Sequence, residues 1–290
     1  MKQILKRLPL FTLLAAVLLS LAACETPSSP SAEDTQETET VETLALPHDC
    51  RNTSRIRNQE TETQAKGLLS EESTRLTAQN TRVLTSLQPV LQNPSYPNGC
   101  EIASLATVLG WYGFDVTMEE LDDTYLPKQG FSYSKSGIRM GADPSVAYVG
   151  EPSSISGGWY CFEQPLARAT DAYLSAQGST LRAQIISGAS LDELDIWLAD
   201  QVPVIVWFTL GYNTPVRSTT FSWRLEDGRN YHPYMNLHCL VLTGNLNGYY
   251  QLADPLRGTA FVSRAAFETT YTQMGQRAIV LTEMKGMSLA

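Results

Sequence analysis

The sequence predicts an α+β fold, with N-terminal helices packed on an antiparallel sheet, and three observations carry that expectation. Helical periodicity comes early, at residues 100–112, 164–176 and 190–200, whereas the later apolar runs are short and strand-like. Two of those runs, residues 237–243 and 249–253, are joined only by a glycine-bearing turn, and so short a link joins antiparallel strands. The patterned region, residues 81–286, is roughly 200 residues long, enough for one sizeable core.

In chain order, residues 83–87 read as a short strand feeding a polar loop, 88–99. Cys100 opens the first helix, whose apolar positions Ile102, Leu105, Ala106 and Leu109 share one face before Gly113 stops it. Thr117-Met118-Glu119-Glu120 has capping-box spacing and begins a short helix to Tyr125. Residues 127–158 are rich in Gly, Ser and Pro. A segment of that length inside a compact domain is usually functional, and here it is expected to wall a cleft. A strand at 181–186 precedes a helix that Ser190-Leu191-Asp192-Glu193 caps. The unbroken apolar run 202–208 suits a buried strand. A polar excursion, 211–234, leads into the hairpin. A strand at 259–262, a helix at 265–272 and a strand at 278–281 complete the domain.

Upstream, Lys2, Lys6 and Arg7 precede an apolar run, 8–23, broken only by Pro9, Thr12 and Ser20. The run is shorter than the about 20 residues of a membrane span, and with its basic flank it reads as an export signal. It ends in Leu21-Ala22-Ala23-Cys24, which resembles the lipobox of bacterial lipoproteins. That resemblance implies a signal peptide at 1–23, lipidation of Cys24, and a location outside the cytoplasm, anchored to a bacterial membrane. Residues 24–80 are polar, and their Thr, Ser, Pro and Glu content up to about Thr43 cannot bury enough apolar surface to order the chain. This stretch is expected to be a tether.

Loss of residues 1–23 removes three bases and no acid, taking the formal net charge from −9 to −12. An acidic chain without a basic, aromatic-studded stripe is not a nucleic-acid binder. Five cysteines are too few for a disulfide scaffold at this length, and none has zinc-ligand spacing; His48-Asp49-Cys50 alone is a weak metal fragment. Neither metal nor cofactor is expected. Cys161 and Cys239 read as small buried apolar residues.

Cys100 follows the turn Tyr96-Pro97-Asn98-Gly99 and sits at a helix N-terminus. The dipole there favours anions, and with a neighbouring imidazolium it can lower a thiol from about 8.5 to roughly 3.5–7.5. Cys100 is therefore the candidate nucleophile, and it needs a base. Of the three histidines, His48 lies in the polar region, His232 in a loop before Pro233 as a reserve, and His238 at the start of the run Leu237-His238-Cys239-Leu240-Val241-Leu242. His238 is the best placed. A hairpin return brings Asp254 beside His238, where a carboxylate fixes the imidazole tautomer. Gln92 offers an amide to a developing oxyanion, with Gln88 and Asn93 as rivals on the same loop.

Gln92, the segment from Asn98 to Leu105, strand-opening His238 and the Asp254-Pro255 pair resemble stand-alone relatives of the bacteriocin-processing, double-glycine-type cysteine peptidases of the papain-like superfamily. The match includes Gly141-Ala142-Asp143-Pro144 and residues 203–207. The resemblance implies a papain-like fold with Cys100 as nucleophile, His238 as general base and acid, Asp254 as orienter, Gln92 as oxyanion donor, and a peptide or protein as substrate. Two alternatives stand beside peptide hydrolysis: cleavage of cell-wall cross-bridges, and an inactive papain-like binding module at the cell surface.

Overall fold

The computed structural model describes residues 81–283. Its main elements are β1 (Thr81–Val83), α1 (Cys100–Trp111), α2 (Glu163–Ala176), β2 (Leu181–Ile185), α3 (Leu191–Ala199), β3 (Val204–Thr209), β4 (Leu237–Leu246), β5 (Tyr249–Asp254), β6 (Gly258–Ser263), α4 (Arg264–Gln273) and β7 (Ala278–Glu283). The strands form a seven-stranded antiparallel sheet in the order β6-β5-β4-β3-β7-β2, with β1 paired to the far end of β4. The α+β expectation holds. The segments assigned to a signal peptide and tether, with Cys24, His48 and Cys50, lie outside the described residues.

Alternation along β3 explains why its sequence shows no polar face. Ile205 and Trp207 enter one core with Ile102, Leu105 and Leu109 of α1 and Leu166 and Leu174 of α2. Val204, Val206 and Phe208 enter a second with Leu194 and Leu198 of α3 and Phe267 and Tyr271 of α4. The sheet is thus covered on both faces, and α1 and α2 form only one of two helical layers. Each fully buried side chain of this size contributes about 1.5–3 kcal/mol, so the central strand anchors the fold.

Three local expectations are revised. The first strand is β1, and residues 84–87 turn away from it, Leu87 N–H bonding Leu84 O at 3.1 Å. The hairpin strand runs on to Leu246 through a bulge between Leu242 and Gly244, and its turn is Asn247-Gly248, with φ of 41° and 91°. Two consecutive left-handed residues make the tight link whose twist matches antiparallel strands. The segment 127–158 is not a plain loop: Lys128–Gln129 pairs with Tyr148–Val149, and Ser132–Tyr133 and Arg139–Met140 join Trp223–Arg224 and Asn230–Tyr231 in a four-stranded sheet. Aromatic packing holds this addition together, Trp159 stacking on Phe221 at 4.8 Å between ring centroids. No helix among the described residues is long and apolar enough to cross a membrane.

Candidate active site

The turn before α1 is built to bring backbone close to backbone. Gly99 N–H bonds Tyr96 O at 2.9 Å, and a Cβ on Gly99 would stand 2.7 Å from the Tyr96 Cβ, so the position excludes a side chain. Segment 150–158 braces the turn from outside. Asn98 N–H bonds Pro152 O at 3.1 Å, Asn98 Nδ2 bonds Ser154 O at 2.7 Å, and Tyr148 Oη donates to Asn98 O at 2.7 Å. This part of the Gly/Ser/Pro-rich stretch packs against the cysteine turn.

His238 and Asp254 come together through strand register. β4 and β5 pair Val241 with Ala253, so one step further Asp254 faces Leu240 and stands diagonal to His238 on the same face of the sheet. Their side chains meet, His238 Nε2 lying 2.8 Å from Asp254 Oδ1, and both are buried, at 2% and 1% exposure. Burial alone would raise the Asp254 carboxyl. The charge and hydrogen bond of His238, the Leu256 N–H at 2.7 Å and the Tyr212 hydroxyl at 2.8 Å outweigh it and hold the group down at about 2. An ionised carboxylate only accepts, so the His238 nitrogen that faces it, Nε2, carries a proton.

Cys100 is buried at the start of α1, and its sulfur lies by the backbone of Cys239, one residue beyond His238. By alternation Cys239 and Val241 belong to the α1 face, and His238, Leu240 and Leu242 to the other. Cys100 and His238 therefore approach the start of β4 from opposite faces, and the thiol's hydrogen bond runs to Glu101, not to the imidazole.

The expected lowering of the thiol is contradicted. Burial pushes Cys100 well above its ordinary value, and the neighbouring Glu101 carboxylate adds to the rise. The helix N-terminus is already in use. Glu101, fully buried, accepts from its own backbone N–H, and its Oε1 accepts from the Cys161 N–H at 2.9 Å. Its Oε2 accepts the Cys100 thiol at 3.3 Å. The positive end of the dipole thus serves a carboxylate, and the thiol proton is directed at that carboxylate.

Gln92 links the two halves. Its backbone N–H bonds Pro255 O at 2.9 Å, next to Asp254, and its Nε2 donates to Pro97 O at 2.8 Å, within the cysteine turn. The side chain is buried with Oε1 lacking a partner. Oε1 is an acceptor; the donor is Nε2, which has one N–H on Pro97 O and a second for another acceptor. His232 is elsewhere, its Nδ1 3.1 Å from Ser218 O. Tyr212 and the role of Glu101 escaped the sequence reading. Tyr212 lies in the polar excursion without a pattern to mark it, whereas an acid directly after a helix-opening cysteine was a visible signal.

Residues 76–279 match the sequence model of the Peptidase_C39 like family. The protein YvpB of Bacillus subtilis (strain 168), itself uncharacterized, is 30% identical over 189 residues, 65% of this chain and 70% of its own. A crystal structure from Bacillus anthracis, described as that of a C39-like peptidase, superposes with a TM-score of 0.61 at 25% identity, covering 72% of this chain and all of the other. The double glycine motif protease of an AMS/PCAT transporter, solved with its leader peptide, gives a TM-score of 0.37 at 17% identity, over 71% of this chain and all of the other.

Proposed function

The chain belongs to the Peptidase_C39 like family, and from that premise we propose that it is a cysteine peptidase that hydrolyses peptide bonds through Cys100, His238 and Asp254. The observation that carries this reading is the buried His238–Asp254 contact of 2.8 Å, set at the strand start that the Cys100 sulfur abuts. A buried imidazole with one nitrogen fixed on a carboxylate is a poised base.

In the proposed cycle the Cys100 Sγ proton passes to His238 Nδ1 and the sulfur attacks the scissile carbonyl carbon. The C–S bond forms as the carbonyl electron pair moves onto oxygen. The Gln92 amide and the Cys100 backbone N–H stabilise that oxyanion. Collapse breaks the C–N bond, and His238 gives its proton to the departing amine. Water, deprotonated by His238, then attacks the thioester, releases the acid and restores the thiol. No metal or cofactor enters this chemistry.

The reading includes export and anchoring through a lipid on Cys24, which rests on the sequence pattern at residues 1–24. Bacteria producing wild type, Cys100→Ala, His238→Ala and Cys24→Ala, fractionated and assayed on a peptide library, test both parts together. Wild-type membranes are expected to cleave, and Cys100→Ala membranes not at all. His238→Ala should lower kcat by roughly 10²- to 10⁴-fold. Cys24→Ala should shift activity to the soluble fraction. Equal cleavage by wild type and Cys100→Ala would refute the peptidase reading, and unchanged membrane association of Cys24→Ala would refute the anchor.

A further inference from the structure

Glu101 is a fully buried carboxylate that the proposed cycle leaves unused. Four titratable side chains from three other parts of the fold interact with it electrostatically, besides Cys100 on its own helix: His238 and Cys239 of β4, Cys161 of the segment entering α2, and Tyr148. Among these only His238 can supply a positive charge. The carboxylate has no exposure to water, and it is held by the Cys161 N–H at 2.9 Å and by the Cys100 thiol at 3.3 Å. Cys161 is itself fixed, since Trp207 Nε1 donates to its carbonyl at 2.8 Å. The Glu101 side chain is therefore locked against the nucleophile by two layers of hydrogen bonds.

We propose that Glu101 is a positioning residue that acts as a proton-operated brake on Cys100: ionised, it keeps the sulfur as a thiol, and protonated, it frees the sulfur to become a thiolate. The inference rests on Cys100 being the nucleophile. With Glu101 as the carboxylate, the thiol hydrogen is bound to Oε2, and a thiolate would be a second negative charge in the same dry pocket. When Oε2 takes a proton from solvent, the acceptor becomes a donor. The sulfur's own proton then leaves to solvent, and the thiolate receives the Oε2–H hydrogen bond in its place. Burial raises Glu101 to about 7 against the opposing pull of its hydrogen bonds and of His238, so the brake engages near neutral pH.

The prediction is a shape. While Glu101 is protonated, the thiolate fraction rises tenfold per pH unit. Once Glu101 ionises, each further proton lost comes from the carboxyl instead, and the fraction stops rising. Alkylation of Cys100 by iodoacetamide, read by peptide-resolved mass spectrometry between pH 5 and 9, should bend from unit slope to nearly flat around pH 7 in wild type. In Glu101→Gln, a neutral isostere, it should keep climbing. The two proteins should react alike at pH 6, and the variant about tenfold faster at pH 8. A substitution that merely loosened the site would change both pH values by the same factor. Identical profiles, reactive or inert, overturn the brake. Should the variant fail to melt cooperatively, the wild-type profile decides alone, since an unbroken unit slope through pH 7 overturns it equally. No substrate is used, so the brake can fail while the peptidase reading stands, and the reverse.

Discussion

At the residue scale, Glu101 and Asp254 show how the same burial leads to opposite charge states. Both are almost without exposure, yet Asp254 is held at about 2 and Glu101 is raised to about 7. The difference is the company each keeps. Asp254 bonds an imidazole directly, with a hydroxyl and a backbone N–H beside it, whereas Glu101 has backbone N–H and thiol partners and only the more distant pull of His238, which burial outweighs. Because Asp254 is lowered in the folded state, its contribution of about 2 kcal/mol is present above the ordinary carboxyl range and lost as pH falls through about 2. Asp254→Asn should flatten the acid limb of a melting-temperature profile between pH 2 and 5, and lower kcat by roughly 10²- to 10⁴-fold through loss of tautomer control. A variant with the wild-type acid limb would contradict the ion pair. The placements of Cys100 at a helix start, His238 near a strand start and Asp254 at a strand end were each legible in the sequence, because such ends are marked by local pattern. The state of the thiol was not, since it depends on which neighbours share its burial.

At the element scale, the proposed site lies where β4 and α1 both begin, and the elements are placed by turns. Asn247-Gly248 fixes the register that sets Asp254 diagonal to His238, and Gly99 lets the chain enter α1 tightly against Tyr96. The strands themselves could be read from apolar runs, and the Ser190 capping box from its four residues, as found in α3. The short strands inside 127–158 could not, because two-residue pairings leave no periodicity to detect. Gly99→Ala would press a methyl group to 2.7 Å from the Tyr96 Cβ. The strain should cost about 1–3 kcal/mol in urea unfolding and lower kcat more than it raises KM, because the nucleophile is displaced. Unchanged stability would show that the turn relaxes freely and that the glycine is not required.

At the scale of the whole molecule, a sheet sandwiched between two helical layers holds the two strands that carry His238 and Asp254. Trp207 shows the connection. It is fully buried in the core beneath α1, and its indole N–H holds the Cys161 carbonyl, whose own residue's N–H holds Glu101. Core and site are one hydrogen-bonded assembly. The sequence disclosed the fold class and the order of its elements, but the second helical layer follows from alternation within β3, where both faces are apolar and neither face announces its partner.

The most direct measurement is acid-quenched mass spectrometry of the protein during turnover of a peptide it cleaves. The expected result is a transient acyl mass on the peptide containing Cys100, strongly reduced in His238→Ala. Turnover that leaves Cys100 unmodified, and that persists in Cys100→Ala, would contradict a thioester route.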